Sequence, residues 1–124
     1  MTIKEYQTQF LKLCMDSPII SDSNVNFDEI DENNCYISGL LELIDASVLY
    51  IAEYVEVKHG NITRLKYRYH WQKKDASFIA RWDNVPHHKE IQSFPFHLHE
   101  GDKIYSSKEM AIDLVLEEIG ARII

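Results

Sequence analysis

Histidines are concentrated in one stretch of this sequence. Five of the six lie between residues 70 and 99, and they are His70, His87, His88, His97 and His99. The imidazole ring titrates near neutral pH and is also a common metal ligand. In an extended chain, His97 and His99 point to the same face of a strand, while His87 and His88 lie in a predicted loop, where functional groups are often presented. This stretch is therefore the first candidate for catalysis or metal binding.

Two kinds of site fit these side chains. A metal site would take its ligands from His97, His99 and Asp83, with His87 or His88 as a fourth. No His-Glu-x-x-His or Cys-x-x-Cys spacing supports a metal, so we predict no cofactor. A metal-free ribonuclease would instead use His97 and one of His87 or His88 as an acid/base pair. The candidate catalytic residues are therefore His87, His88, His97, His99 and Asp83.

Positive charge is concentrated just before the histidines. The whole chain has a net charge of −7, yet residues 58–81 carry seven basic side chains and one acidic side chain. The overall charge opposes long-range attraction of RNA, whereas the basic segment permits a local contact. The candidate phosphate-binding residues are Arg64, Lys66, Arg68 and Arg81, with Trp82 available for base stacking. The alternative is a solvated sheet face, or one paired with glutamates of a neighbouring strand.

The first quarter of the chain predicts one helix followed by an acidic segment. Thr2 and Glu5 have the spacing of a capping box, and apolar residues at helical spacing predict a helix over about residues 2–16. Pro18 ends it, because proline disfavours helical geometry at the residue before it. Residues 18–34 are acidic and irregular. A short edge strand and a loop over the core both fit this segment.

From Cys35 the apolar period changes toward two, which predicts strands. They lie at about 35–44, 47–58, 62–72 and 77–84, joined by connections short enough for hairpins. Residues 85–105 form a histidine-rich loop with one more short strand around 96–99. Ser106 and Glu109 make a second capping box, which predicts a C-terminal helix over about 107–121. We therefore expect a single α+β domain, residues 1–124, whose curved antiparallel sheet of four to five strands, about 35–84, is flanked by the two helices.

The strand at 62–72 has the clearest pattern. Leu65, Tyr67, Tyr69 and Trp71 alternate with Arg64, Lys66, Arg68 and His70. Alternate side chains of a strand point to opposite faces of its sheet. The aromatic face is therefore expected to meet the core, and the cationic face to meet solvent or a ligand.

The remaining residues indicate where the protein works. Cys14 and Cys35 have no zinc-site spacing and are expected to be reduced and buried as small apolar side chains. The start of the chain lacks the apolar core of a signal peptide, and no segment is long and apolar enough to span a bilayer. A cytoplasmic protein without membrane contact is the expectation. Unpaired strand edges make a homodimer a further option.

Several motifs resemble one known family. They are Tyr69-His70-Trp71-Gln72, then Arg81-Trp82-Asp83-Asn84-Val85-Pro86-His87-His88, then Phe94-Pro95-Phe96-His97-Leu98-His99. In this order and at these spacings they resemble the TumE family of small proteins, over roughly residues 36–119. That resemblance implies the toxin half of a two-gene toxin–antitoxin module in a prokaryotic cytoplasm. It also implies a small antitoxin partner that is a helix-turn-helix DNA binder, and it supplies no reaction.

Three functional hypotheses follow. The first is a toxin that acts on RNA without a metal, with Arg68 and Arg81 holding phosphate near the histidines. The second is a non-catalytic module whose basic strand face binds an acidic protein, with the histidines building an ordered loop. The third is a metal-binding protein that uses the histidine-rich loop. The placement of the histidine rings around Asp83 distinguishes the first from the second.

Overall fold

A computed structural model describes residues 1–123, which form two helices and seven strands. Helix α1 spans Ile3–Asp16 and helix α2 spans Ile112–Ile123. The strands are β1 Ile20–Asp31, β2 Asn34–Leu43, β3 Val48–Lys58, β4 Asn61–Gln72, β5 Phe78–Asp83, β6 His97–Glu100 and β7 Lys103–Ser106. They pair antiparallel in chain order from β1 to β7. The α+β class agrees with the prediction, whereas four to five strands was too few.

The acidic segment after α1 is a full strand. β1 pairs with β2 along almost its whole length, from Ile20 opposite Leu43 to Asp31 opposite Asn34. Its aspartates and asparagines have low strand propensity, but β2 supplies the backbone partners that override it. Phe27 turns toward α1, where its ring meets Phe10 edge-on at 6.2 Å between centroids. The extra strand therefore anchors the N-terminal helix.

The region predicted as a histidine-rich loop contains a hairpin. β6 and β7 form it, with Gly101 at φ +60° in the turn, and only residues 84–96 remain irregular. Helix α2 begins at Ile112, later than the predicted start near 107. Ser106 cannot begin a helix because it pairs with His97 as the last residue of β7. The second predicted capping box is therefore wrong as a helix start.

Both helices cover one face of the sheet, where the apolar core lies. Leu49, Ile51 and Val55 of β3 point into it, each at most 3% exposed. Cys14 and Cys35 are buried and unpaired, as the sequence predicts. Within residues 1–123, neither helix is long and apolar enough to cross a membrane.

A bulge in β4 divides its two ends between the faces of the sheet. Tyr54 pairs with Lys66 but the next residue, Val55, pairs with Arg64, so Leu65 is an extra residue. Because of the extra residue, the odd-numbered and even-numbered side chains of β4 exchange faces between the two sides of the bulge. Leu65 is 45% exposed instead of buried as predicted. Arg64 turns to the helix side, which corrects its predicted place beside Lys66 and Arg68.

A buried carboxylate links α1 to the centre of the sheet. Glu53 in β3 is 1% exposed and accepts hydrogen bonds from the Tyr6 and Tyr69 hydroxyls, the latter at 2.6 Å. Burial raises the pKa of Glu53 above its ordinary 4.5, while the two phenol hydrogen bonds and the nearby Arg64 oppose the shift. The cluster holds Tyr6, at the start of α1, against strands β3 and β4.

This cluster predicts a pH dependence of folding. Since the folded chain holds the Glu53 proton more tightly than the unfolded chain, protonation favours folding. This stabilisation is fully present below pH 4.5. It is lost as the pH rises through the raised pKa that Glu53 has in the folded chain. In Glu53→Gln it is absent, so urea unfolding should show a smaller loss of unfolding free energy between about pH 4 and about pH 7. Glu42→Gln, at an exposed position, should keep the wild-type pH dependence. Equal pH dependence in all three proteins would contradict the prediction.

Candidate functional site

The sheet face opposite the helices carries two adjacent rows of ionisable side chains. Strand register places Arg68 opposite Asp83 and Asp83 opposite His97. The neighbouring row holds His70, Arg81 and His99, paired in the same way. Because residues paired across strands share a face, six chemically active side chains from β4, β5 and β6 converge here.

Asp83 and His97 form the buried centre of this face. Both are 2% exposed, and His97 Nε2 lies 2.7 Å from Asp83 Oδ1. The other ring nitrogen, Nδ1, lies 2.9 Å from the Pro95 carbonyl oxygen. Both nitrogens therefore face acceptors, and a ring with a proton on each nitrogen satisfies both hydrogen bonds. This fixes His97 in position and leaves it no free nitrogen.

Two further contacts orient the Asp83 carboxylate. Oδ1 also accepts a hydrogen bond from the Val85 backbone N–H at 3.1 Å. Arg81 Nε lies 3.4 Å from Oδ2 as an ion pair, without the alignment of a hydrogen bond. The carboxylate is thus compensated from three sides, as a buried charge requires.

His99 and His88 are the accessible rings beside this centre. His99 Nε2 lies 3.6 Å from Asp83 Oδ2, and its side chain is 19% exposed. Burial lowers the pKa of His99, with a further lowering from Arg81 and the neighbouring histidines that the charge of Asp83 opposes. The His88 ring lies 5.6 Å from that of His97 and 5.8 Å from that of His99, between centroids. Two imidazole rings therefore lie side by side, and His88 is the more exposed of the two.

The irregular segment 84–96 is attached to the sheet at both ends. The Asn84 side chain accepts from the Tyr67 N–H at 2.9 Å and donates to the Leu65 carbonyl at 3.1 Å, which continues the β4–β5 pairing by one residue. At the other end, Ser93 Oγ accepts from the Ser107 N–H at 2.9 Å and donates to the Phe96 carbonyl. These contacts bring the loop, and His88 with it, back over β6.

The candidate residues from the sequence divide into two groups. Asp83, His88, His97 and His99 come together with Arg68 and Arg81. His87 is exposed, and its ring lies beside that of His88, 6.3 Å away between centroids. Lys66 is one row away on the same face, and Arg64 lies on the opposite face. Trp82, considered for base stacking, is buried among the helices and strands of the core.

The centre also has the donor set of a metal site. One oxygen of Asp83 and one ring nitrogen each of His97 and His99 lie within 4.8 Å of one another. A histidine that donates Nδ1–H to a carbonyl, as His97 can to Pro95, directs Nε2 toward a metal. The geometry therefore fits a divalent transition metal as well as an ion pair.

Sequence reasoning missed the aromatic residues on this face. Tyr36 and Tyr54 are paired across β2 and β3 and border a groove of about 730 Å³ between the open face and residues 84–95. The signal was present, since both tyrosines sit one residue from the buried positions Ile37 and Val55 and must face the other way.

Comparison with known proteins identifies a family. A family model described as Toxin TumE matches residues 10–123. The match begins within α1 and includes every strand and α2. Searches of curated proteins and of solved structures give no match.

The Asp83–His97 contact predicts graded losses of stability. Asp83→Ala leaves the Nε2 nitrogen of His97 buried without a partner and should lower the unfolding free energy by about 3 kcal/mol. Asp83→Asn should cost about 1 kcal/mol, because an amide oxygen in the place of Oδ1 can still accept from both Val85 and His97 Nε2–H, and a neutral His97 ring then gives up only its bond to Pro95. Glu90→Gln, which changes an exposed carboxylate near His88, should cost less than about 0.5 kcal/mol. Urea unfolding of the three variants checks this order. Equal stabilities would mean that the pair does not support the fold.

Proposed function

The chain belongs to the TumE toxin family, and on that premise we propose that it is the toxin of a toxin–antitoxin pair and cleaves RNA at the open sheet face. The observation that carries the proposal is the placement of the His99 ring beside His88 and two arginines, with the pKa of His99 lowered by its burial. Cleavage of RNA through its own 2′-hydroxyl needs a base, an acid and cations around the phosphate. The face presents all three.

We assign the base to His99 and the acid to His88. His99 removes the 2′-hydroxyl proton as the 2′-oxygen attacks phosphorus, and protonated His88 gives a proton to the departing 5′-oxygen. The products are a 2′,3′-cyclic phosphate and a free 5′-hydroxyl. His97, expected from the sequence to belong to the acid/base pair, is assigned a positioning role because both its nitrogens are occupied.

Arg68 and Arg81 are proposed to hold the phosphate. They flank Asp83 in the register of β4 and β5, on the same face as the histidine rings. Arg81 Nε is buried and faces Asp83 Oδ2 at 3.4 Å, while the Arg81 side chain as a whole is 31% exposed, so its terminal nitrogens are the donors proposed for a ligand. Guanidinium groups bind phosphate with paired hydrogen bonds, and they stabilise the charge that develops on phosphorus during attack.

The family implies an antitoxin partner. We propose that it is a small helix-turn-helix protein encoded next to this gene, because toxin and antitoxin must be produced together. A cytoplasmic site of action follows from an RNA target.

Growth and RNA cleavage test the assignment of His99. The wild-type chain, expressed without antitoxin, should arrest growth, and His99→Gln should relieve the arrest and lower RNA cleavage by about 100-fold or more. Since the pKa of His99 is lowered, the acid limb of the cleavage profile should lie below 6.5.

His59→Asn is the matched control, because His59 lies in the β3–β4 turn at φ +53°, where asparagine is tolerated. It should keep both toxicity and cleavage. If wild type and His99→Gln are equally harmless and leave RNA intact, the proposal fails and a non-catalytic binding module remains.

A metal-centred hydrolase is the second candidate, and the convergent Asp83, His97 and His99 donors favour it. In that case tag-free protein should retain about one equivalent of a transition metal after dialysis. A chelator should then abolish cleavage, and His97→Gln should release the metal. Under the metal-free proposal, elemental analysis finds no stoichiometric metal and the chelator leaves cleavage unchanged.

A further inference from the structure

We propose that the groove beside the histidine cluster binds single-stranded RNA, with bases on Tyr36 and Tyr54 and phosphates at Lys66 and Arg68. This rests on the proposed function, since it identifies how the substrate of that same site is held. The groove lies between the open faces of β2, β3 and β4 and the loop segment 84–95, and it has a volume of about 730 Å³.

The register of the sheet arranges stacking and charged groups in adjacent rows. Tyr36, Tyr54 and Lys66 form one row across β2, β3 and β4. In the next row Ala52 lies opposite Arg68. Successive same-face residues are about 7 Å apart along a strand, and the small Ala52 side chain leaves the space beside the Tyr54 ring open.

The far wall of the groove is apolar. Val85, Pro86, Phe94 and Pro95 of the loop line it, and Phe94 is 39% exposed. Exposed aromatic rings on both sides of a groove suit flat, unpaired bases, because stacking uses the faces of bases that a duplex keeps occupied. A double helix would need a wider surface than a groove between a sheet and one loop.

The charge of the groove favours a polyanion. Its lining includes Lys66 and Arg68 and no aspartate or glutamate, although the chain has 20 acidic residues. Within residues 1–123, no carboxylate lies within 4.0 Å of either cation. Their charges are therefore available to phosphates, which dominate the affinity of nucleic acids for proteins.

The groove borders the catalytic candidates at Arg68. Arg68 belongs to its lining and is paired with Asp83 on the next strand, while Asp83 contacts both His97 and His99. An RNA strand lying along the groove would thus bring one phosphate past Arg68 to the His99 and His88 rings. This adjacency favours the substrate over an acidic segment of the antitoxin as the occupant.

Direct binding to a fluorescent single-stranded RNA tests the groove apart from the chemistry. Measurements use the full chain carrying His99→Gln, so that the probe stays intact, with fluorescence anisotropy as the readout. Adding Tyr54→Ala should weaken binding by about tenfold, whereas Tyr54→Phe should stay within about twofold, because it keeps the ring. Lys66→Glu should weaken binding and reduce its dependence on salt. A duplex RNA of the same sequence should bind more weakly than the single strand.

Tyr50→Ala is the matched control. Tyr50 is on the same sheet face and 45% exposed, but it lies outside the groove, near His70, and its change should leave binding as before. Urea unfolding checks that Tyr54→Ala remains folded. If Tyr54→Ala does not fold, RNA binding by Tyr54→Phe, which keeps the ring, supports the role of the ring.

Three results would overturn the inference. The first is that folded Tyr54→Ala binds RNA as tightly as the chain that keeps Tyr54. The second is that duplex RNA binds as tightly as the single strand. The third is that Tyr54→Ala loses antitoxin binding while its RNA affinity stays intact. The last would assign the groove to the antitoxin. If RNA binding depends on Tyr54 but wild type cleaves nothing, the groove stands and the proposed chemistry fails. If wild type cleaves RNA and Tyr54→Ala binds normally, the chemistry stands and the groove fails.

Discussion

The β-bulge at Leu65, together with the Asn84 side chain that bridges it, decides what each face of the sheet carries. Beyond the bulge, Tyr67 and Tyr69 point to the helices, so Lys66 and Arg68 must face the open side. Before it, Arg64 points to the helix side and approaches Glu53. Asn84 bonds to the carbonyl of the bulged residue Leu65 and to the N–H of Tyr67 beyond it, and it follows Asp83 directly. The same contact thus sets the start of the loop that carries His88.

Glu53 and Asp83 are buried carboxylates on opposite faces of the sheet, and the partners of each determine what it does. Glu53 meets phenol hydroxyls that belong to the packed core, and its burial raises its pKa. Asp83 meets an imidazole and an arginine at the edge of an open face. The first arrangement joins a helix to a sheet. The second fixes His97 and leaves the neighbouring His99 ring partly exposed, which is the placement that the proposed chemistry uses.

Features set by local sequence could be predicted, and those set by distant pairing could not. The capping box of α1 needs only Thr2 and Glu5, and alternation alone places Tyr67, Tyr69 and Trp71 in the core. β1 escapes such reasoning because its polar residues become a strand only when β2 pairs with them. The bulge escapes it because the extra residue is defined against β3. For this reason the sequence prediction placed Arg64 on the wrong face of the sheet.

The candidate site was predictable as a set of residues but not as a set of roles. The spacing of His97 and His99 places both on one face of a strand, and pairing with β5 brings Asp83 to them. Nothing local distinguishes the two rings, since the Pro95 carbonyl that occupies His97 is positioned by the loop. Likewise, nothing local distinguishes His88 from His87, and in the folded loop it is the His88 ring that lies beside those of His97 and His99. A net charge of −7 describes the surroundings of this face, while its own chemistry depends on cations and imidazoles aligned by register across three strands.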